Sequence, residues 1–366
     1  MREKDLEFKE SKDREEFSKK ERKTYNEIKD SPMIGIRGLG IYLPEKTMTA
    51  KEIAEATKGN WSEEEIYIKL GIKKIYIASD DGTQEMGAKA AAKALVDAKV
   101  DPLDIDLILC IGEEWKEYPL TTSALYIQDY IGAINAWGID VQNRCCSTIA
   151  AMKIAKDMMI SDPEINKAVV VGGYRNGDFV DYTDQDMSMM YNLSAGAGAI
   201  ILEKNYDKNI LLGSHIISDG SLSRTAGVEI GGTKKPITCD NISEAYKSLR
   251  LMDAKKMKEK LNKVSMPNWE KCIDKSLEKS NLKREDIDFL NILHIKRSAH
   301  LSMLEKLKLK KDQSIYLEDY GHIGQIDQIL TWQLARDKSL IKKGDIIVTI
   351  AAGIGYVWAA NVIRWG

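Results

Sequence analysis

Continuous apolar runs alternate with helical patterns along most of this chain. The first run, 33–44, closes on Pro44 and predicts a strand that opens the folded part. Later runs, such as 168–173 and 345–350, are apolar at successive positions. That pattern is typical of strands covered by helices on both faces of a sheet. The sequence therefore predicts an α/β protein.

Two stretches of the chain match each other in register, 182 positions apart. Residues 92–108 and 274–290 each read as a helix, a short polar turn, Asp-Ile-Asp and a buried strand. A second correspondence relates 168–173 and 196–202 to 345–350 and 353–358. Because this spacing is too long for a solenoid, it predicts two similar α/β halves, which we place at 33–205 and 206–366.

The amino-terminal segment differs from the rest of the chain. Of residues 1–31, 20 are charged, ten of each sign. Such a segment cannot bury enough apolar surface to fold alone. We therefore separate residues 1–32 as a charged extension, either a solvated helix or a disordered arm.

Composition excludes several classes of partner. The 54 basic and 56 acidic residues nearly cancel, so nothing in the charge favours nucleic acid or an anionic membrane. No apolar run approaches the roughly 20 residues that cross a bilayer. Five cysteines without an apolar signal segment favour a reducing compartment, and we expect a cytoplasmic protein without disulfides. We expect no metal site.

The tripeptide Arg144-Cys145-Cys146 is the main candidate for chemistry. It lies between a predicted buried strand, 138–141, and a helical run, 147–155. A cysteine in the first turn of a helix is close to the positive end of the helix dipole and to unpaired N–H groups, which favour thiolate. Free cysteine is also a common core residue. The residues alone therefore leave both a nucleophile and a packing role open.

Several motifs together carry a family resemblance over about 34–365. They are Gly-x-Gly-x-Tyr-Leu-Pro at 38–44, Gly-Ile at 71–72, Asp-Val at 140–141 leading to Cys145, Gly-Ala-Gly-Ala at 196–199, Ser-Asp-Gly at 218–220 and Gly-Ile-Gly-Tyr-Val-Trp at 353–358. The chain resembles the thiolase superfamily, and within it ketoacyl-ACP synthase III and hydroxymethylglutaryl-CoA synthase. The resemblance implies a thiolase-like fold, two duplicated α/β halves in a layered α-β-α-β-α arrangement, and a homodimer.

The resemblance also implies a set of site residues. Cys145 matches the acylated nucleophile, with Cys146 left to packing. His294 matches the family histidine, and His322 stands where synthase III enzymes usually have asparagine, which makes a Cys-His-His set. His300 is expected on a helix surface or behind the site. The implied oxyanion hole uses backbone N–H groups at Cys145, Gly353, Ile354 and Gly355.

Two departures bear on the reaction and the substrate. The run 111–118 resembles hydroxymethylglutaryl-CoA synthases, in which the glutamate matching Glu114 is the general acid and base; the alternative is an exposed loop carboxylate. Glu65 and Lys69 stand where synthase III enzymes use a tryptophan and an arginine to hold the CoA nucleotide, with Trp61 nearby. The implied substrates are acyl-CoA or acyl carrier protein thioesters, with no permanently bound cofactor.

Four functions follow from these observations. We expect a condensing enzyme that is acylated on Cys145 and then forms a carbon–carbon bond by Claisen condensation, as in fatty acid or polyketide biosynthesis. The alternatives are an acyltransferase of secondary metabolism that forms an ester or amide, a condensation of the hydroxymethylglutaryl-CoA synthase type without decarboxylation, and a non-catalytic partner subunit.

Overall fold

Thirteen β-strands and nine α-helices form in the part of the chain that the computed structural model describes, residues 32–112, 115–245 and 247–366. Nearly all of the predicted charged extension lies outside these ranges. The strands are β1 (Ile34–Tyr42), β2 (Thr47–Thr49), β3 (Lys74–Tyr76), β4 (Leu107–Cys110), β5 (Trp137–Asp140), β6 (Lys167–Tyr174), β7 (Gly196–Lys204), β8 (Ile210–Ser218), β9 (Gly227–Val228), β10 (Leu249–Arg250), β11 (Phe289–Ile292), β12 (Ile346–Gly353) and β13 (Val357–Arg364).

The helices fall between the strands, as the alternating sequence pattern predicts. They are α1 (Ala50–Ala56), α2 (Glu63–Glu65), α3 (Thr83–Ala98), α4 (Ser123–Ile131), α5 (Ser147–Ser161), α6 (Ile242–Ala245), α7 (Ala254–Glu278), α8 (Arg297–Lys306) and α9 (Asp327–Asp337). None of the helices in the described ranges combines the length and apolar content needed to cross a bilayer.

Nine strands form one mixed sheet in the order β11-β12-β13-β8-β1-β7-β6-β4-β5. Its two sides repeat each other about a short contact between β1 and β8, where Gly35 lies opposite Ile210. On each side two antiparallel pairings are followed by a parallel one, β6 with β4 and β12 with β11. This order is the duplication that the repeated sequence patterns predict. The boundary at 205/206 stays a prediction.

The helices cover the sheet in layers. Helix α3 packs on β1, β6 and β7, and α7 packs on β8, β12 and β13. Helices α5 and α9 each contact strands from both halves of the chain. They therefore lie between the strands of the first half and those of the second. The described chain therefore has the predicted layered arrangement, with one helix from each half in the centre.

Small residues let α3 approach β1 closely. Ala90 and Ala94 on α3 are fully buried. A Cβ atom added at Gly40 of β1 would lie 2.1 Å from the carbonyl oxygen of Ala90 and 2.5 Å from the backbone nitrogen of Ala94. Both atoms belong to the helix backbone, so a side chain on Gly40 could be accommodated only by separating helix and strand.

The prediction of a buried strand at 138–141 is wrong for the isolated chain. This strand, β5, is the last in the sheet order, and the side chains of Trp137 and Ile139 are 48% and 43% exposed. The apolar residues that suggested burial lie at an uncovered edge of the sheet.

Candidate active site

Cys145 lies where the first half of the chain turns from β5 into α5. A single 3₁₀ turn, Arg144–Cys146, precedes the helix, and Arg144 takes a left-handed backbone conformation with φ +52°. The end of β12 packs against this turn: a Cβ atom on Gly353 would lie 3.2 Å from the Cys145 nitrogen and 3.1 Å from the Asn143 oxygen. Glycine at 353 therefore lets the two halves meet at the cysteine.

His322 reaches Cys145 from the second half of the chain. Its Nε2 is 3.3 Å from the Cys145 Sγ, and its Nδ1 is 2.6 Å from Oδ2 of Asp327. Cys145 and His322 are each 9% exposed, whereas Asp327 is fully buried. A thiol, an imidazole and a carboxylate are thus joined in one line, the arrangement that activates nucleophiles in many unrelated enzymes.

Asp327 is held in place by the backbone around it. Besides the imidazole, it accepts hydrogen bonds from the backbone N–H groups of His294 at 2.8 Å and Ile323 at 2.7 Å. It is also the first residue of α9, where the helix dipole stabilises a negative charge. These bonds offset the cost of burying the carboxylate.

The charges around His322 favour its protonated form. Burial acts to lower the pKa of His322, but the Asp327 carboxylate and the Cys145 sulfur outweigh burial and raise that pKa well above its ordinary value. His322 can therefore be protonated while its Nε2 faces the Cys145 sulfur.

His294 lies in the same region, but its ring bonds elsewhere. Its Nε2 is 3.0 Å from the carbonyl oxygen of Leu70, so Nε2 carries the proton and donates. Burial lowers the pKa of His294 to about 4, which keeps the ring neutral near pH 7. The buried Nδ1 has no hydrogen-bond partner among the described residues.

Cys146 and His300 are both buried. The Sγ of Cys146 lies 3.5 Å from the Val357 oxygen, and burial raises the Cys146 pKa well above its ordinary value, which fits the predicted packing role. His300 is 4% exposed and stands edge-on to Tyr316, whose ring also packs against His294. Of the two predicted positions for His300, the one behind the site agrees with the structure, and the helix surface does not.

Of the backbone groups predicted to form an oxyanion hole, that of Gly353 lies beside Cys145, since the turn at 144–146 packs on the end of β12. The N–H of Gly353 is directed to the Cys146 thiol and acts to lower its pKa, against the effect of burial. The amides of Cys145, Ile354 and Gly355 stay predicted donors. Glu114, the predicted proton acceptor, lies outside the described residues.

The segment that matches the CoA-binding region is internally paired. Lys69 Nζ is 2.7 Å from Glu65, and the same ammonium lies 5.0 Å from the centre of the Trp61 ring. The hydrogen bond from Lys69 is the main reason that the pKa of Glu65 falls to about 2. The charge of Lys69 is thus already balanced within this segment.

Three residues at the site were not predicted from the sequence. Asp327 pairs with His322; Gln328 donates to the Cys145 oxygen at 3.4 Å; and the pKa of Tyr356 is raised to about 12 by burial and by the charge of Cys145. The acidic residue five positions after His322, at the start of a helical pattern, was a usable signal for Asp327. Among the described residues, no group of three or more His, Cys, Asp or Glu side chains could hold a metal ion.

Comparisons with known proteins point to one family of relatives. The family model described as 3-oxoacyl-[acyl-carrier-protein (ACP)] synthase III matches residues 139–220, and the model for the synthase III C terminal matches 277–365. The chain is 29% identical to the β-ketoacyl-[acyl-carrier-protein] synthase III of Caldanaerobacter subterraneus, over 90% of this chain and 97% of that protein. It is 27% identical to the synthase of the same name from Clostridioides difficile, over 90% and 98%.

A solved structure gives the same fold. The 3-oxoacyl-[acyl-carrier-protein] synthase III from Aquifex aeolicus superposes with a TM-score of 0.79 at 24% identity, covering 91% of this chain and all of that one. The predicted thiolase-like fold is therefore confirmed, and the class of the protein is the thiolase superfamily. Within this class, the chain is similar to the β-ketoacyl-ACP synthase III proteins, both in its two family-model matches and in its curated relatives. The prediction of an acyl-condensing transferase of this superfamily is confirmed; the roles of individual residues stay predictions.

Proposed function

We propose that this protein takes an acyl group from a thioester onto Cys145 and then condenses it with a second acyl thioester. The observation that carries the proposal is the line from the Cys145 sulfur through His322 to Asp327. It provides a nucleophile, a proton carrier and a fixed charge in one buried place, with groups from both halves of the chain.

The first half-reaction uses Cys145 as a thiolate and His322 as an imidazolium. The Cys145 thiolate attacks the thioester carbonyl, and the backbone N–H groups of Cys145 and Ile354 stabilise the oxyanion. The leaving thiolate takes a proton from His322 as the tetrahedral intermediate collapses. His322 then takes up a proton from solvent. In the second half-reaction, a malonyl-type thioester loses carbon dioxide and its enolate, which accepts a hydrogen bond from Nε2–H of His322, attacks the acyl carbonyl and expels the Cys145 thiolate. His294 can add a second donor once its Nε2 turns from Leu70.

We propose an acyl carrier protein as the preferred donor. The paired Glu65 and Lys69 support this, because the ammonium is already neutralised where the family holds the CoA nucleotide. A second support is a basic face at the start of α7, where four lysines, of which Lys260 pairs with Asp219, outnumber two acidic residues: Asp253, Lys255, Lys256, Glu259, Lys260 and Lys263. On the buried side of this helix, Met257 accepts a hydrogen bond from Tyr356. Tyr356 is close enough to Cys145 for the charge of the sulfur to raise the pKa of the phenol. An acidic carrier bound to α7 would therefore be close to the site.

Intact-mass measurement tests the function. The protein is incubated with a series of acyl-CoAs and with the same acyl groups on acyl carrier protein, weighed, and then given malonyl carrier thioester. We expect a covalent acyl adduct that forms faster from the carrier, followed by one carbon dioxide for each β-ketoacyl product. An adduct without condensation would favour the ester- or amide-forming acyltransferase, and no adduct from any donor would favour the non-catalytic subunit.

We propose further that the protein is a homodimer joined at the β5 edge. An uncovered strand edge beside exposed apolar side chains is a site for pairing with another chain. Such a surface is formed by strand β5, helix α4 and the loop after α4, and we call it the β5/α4 face. Its exposed apolar residues are Leu125, Tyr126, Tyr130, Ile134, Trp137 and Ile139. A second copy fits because two β5 strands can pair antiparallel across a two-fold axis and continue the sheet.

Replacing Ile139 with lysine should convert the dimer to monomer, because two buried ammonium groups would face each other near the axis. Sedimentation or light scattering at several concentrations measures the change. Val96→Lys is the matched control, since Val96 is an apolar residue that is 79% exposed on α3 and lies outside the β5/α4 face. A dimer that persists in Ile139→Lys, or a wild-type monomer at all concentrations, would contradict this interface.

A further inference from the structure

The imidazole that faces Cys145 has a carboxylate partner. The family residue at position 322, as the resemblance has it, is an asparagine, which donates a hydrogen bond but cannot take up a proton. Here His322 replaces it, and Asp327 holds the Nδ1 proton at 2.6 Å. The ring therefore presents Nε2 to the sulfur, the nitrogen that can remove a proton from a reactant.

The structure around Asp327 fixes this tautomer. Two backbone N–H groups and the His322 ring occupy its two oxygen atoms, and the carboxylate is fully buried. If the imidazole turned away, the buried carboxylate would keep its two backbone N–H bonds but lose its bond to the ring, and loss of such a bond to a buried charge is costly. Asp327 therefore orients His322 and stabilises the imidazolium that forms when the ring accepts a proton.

The decarboxylative route does not use such a base. Loss of carbon dioxide from a malonyl thioester makes the nucleophile without removal of a proton, and it is favoured by two donors to the enolate oxygen. In this structure only one of the two imidazoles faces the sulfur, since the Nε2 of His294 donates to Leu70. The decarboxylative route therefore does not use the ability of the His322–Asp327 pair to remove a proton from a reactant.

We propose that the acyl group on Cys145 is also passed to an acceptor that still carries its proton, a hydroxyl or an amine, with His322 as the general base and Asp327 as the residue that positions it. This inference rests on the acyl-enzyme of the proposed function and adds a second class of acceptor to the same site.

The step balances without a further reactant. The acceptor oxygen or nitrogen forms a bond to the acyl carbonyl carbon while its proton moves to Nε2 of His322. The tetrahedral intermediate then breaks its carbon–sulfur bond, which releases the ester or amide and the Cys145 thiolate. For a neutral primary amine, the second hydrogen stays on nitrogen as the amide N–H. The thiolate and the imidazolium that remain are the pair with which the first half-reaction begins.

Acylation of Cys145 favours the neutral form of His322, which is the form that can act as a base. The groups that face His322 are the Cys145 sulfur, the Asp327 carboxylate, the neutral His294 and the ring of Tyr174. Once Cys145 is a thioester, its negative charge is gone and the pKa of His322 falls, while Asp327 continues to raise it. The neutral form of His322 in the acyl-enzyme then increases with pH, and the rate of transfer should increase with it.

The experiment isolates this step from acylation. The acyl-enzyme is formed, freed of donor by rapid desalting, and mixed with 1-propanol or propylamine over a range of pH. Intact mass follows the loss of adduct, and chromatography identifies the propyl ester or propylamide. We expect transfer that is faster than hydrolysis in buffer. For 1-propanol, which does not titrate in this range, the rate should increase with pH to a plateau.

Two variants test the roles of the pair. Asp327→Asn should lower the plateau about 100-fold and move the midpoint of the pH profile to lower pH, because removal of the carboxylate lowers the pKa of His322. A merely structural change would lower the rate without moving the midpoint. His322→Asn carries the usual family residue and should lose transfer to the protic acceptors while it is still acylated. Asp337→Asn, at the exposed end of the same helix, is the matched control and should behave as wild type.

The outcomes separate the two proposals. If no acyl-enzyme forms from any donor, the proposed function fails and this inference fails with it. If the acyl-enzyme forms and condenses but gives no propyl ester or propylamide above the hydrolysis rate, this inference alone is overturned. An unchanged pH midpoint in Asp327→Asn, with the variant folded by circular dichroism, would also overturn the positioning role.

Discussion

Replacing Cys145 with alanine is expected to abolish the acyl adduct and to reduce condensation at least about 10⁴-fold, because no other thiol can take over. Cys146 is fully buried, and the raised pKa of its thiol keeps it protonated. Intact mass after incubation with the best donor measures the adduct, and release of the β-ketoacyl product measures turnover.

Cys146→Ala is the matched control for this experiment. It removes a sulfur from the adjacent position, where the side chain packs near the Val357 oxygen, and should cost stability rather than acylation. We expect an adduct of the same mass and a rate within a few-fold of wild type. An adduct that persists in Cys145→Ala and disappears in Cys146→Ala would show that Cys146, and not Cys145, is the nucleophile.

The second large effect is expected on stability. Gly40→Ala should destabilise the fold by about 3 kcal/mol, the upper end for overpacking, because the new methyl group would lie 2.1 Å from the Ala90 oxygen. Helix α3 would have to move away from β1 and break contacts of the fully buried alanines on that helix. Thermal and urea unfolding, compared with wild type, measure the loss.

Gly220→Ala supplies the comparison. A Cβ atom at Gly220 meets no atom within 4 Å, so this variant changes chain entropy but not packing. We expect it to unfold within a few tenths of a kcal/mol of wild type. Equal stability of Gly40→Ala and Gly220→Ala would mean that α3 shifts without cost, against the close contact described above.

The fold could be predicted from the sequence because it is encoded twice. The repeated helix, turn and Asp-Ile-Asp strand, together with the continuous apolar runs, indicated two α/β halves, and the structure has them as the two sides of one sheet. The exposure of the apolar side chains of β5 could not be predicted. Period and composition show that a strand has apolar side chains, but they do not show whether helices of the same chain cover it.

The candidate site could be predicted only in part. Cys145 has a local signal, a cysteine at a strand-to-helix junction, and His322 has one in its glycine-flanked turn. The direction of the His294 ring has none, since it is set by the Leu70 carbonyl, 224 positions away in the chain. Asp327 acquires its meaning from contacts with His322 and two backbone N–H groups, which only the folded chain brings together.

The two central helices begin in the same way. A single 3₁₀ turn precedes α5, and another, Gly324–Ile326, precedes α9; the two turns touch each other. The first turn carries the sulfur, and the second is followed at once by the carboxylate that holds the base. The two halves of the fold are therefore alike in structure but differ in chemistry. At equivalent places, one half carries the sulfur and the other carries the carboxylate. In the mechanism that we propose, neither half could work alone, because separating them would leave the attacking sulfur without its proton carrier.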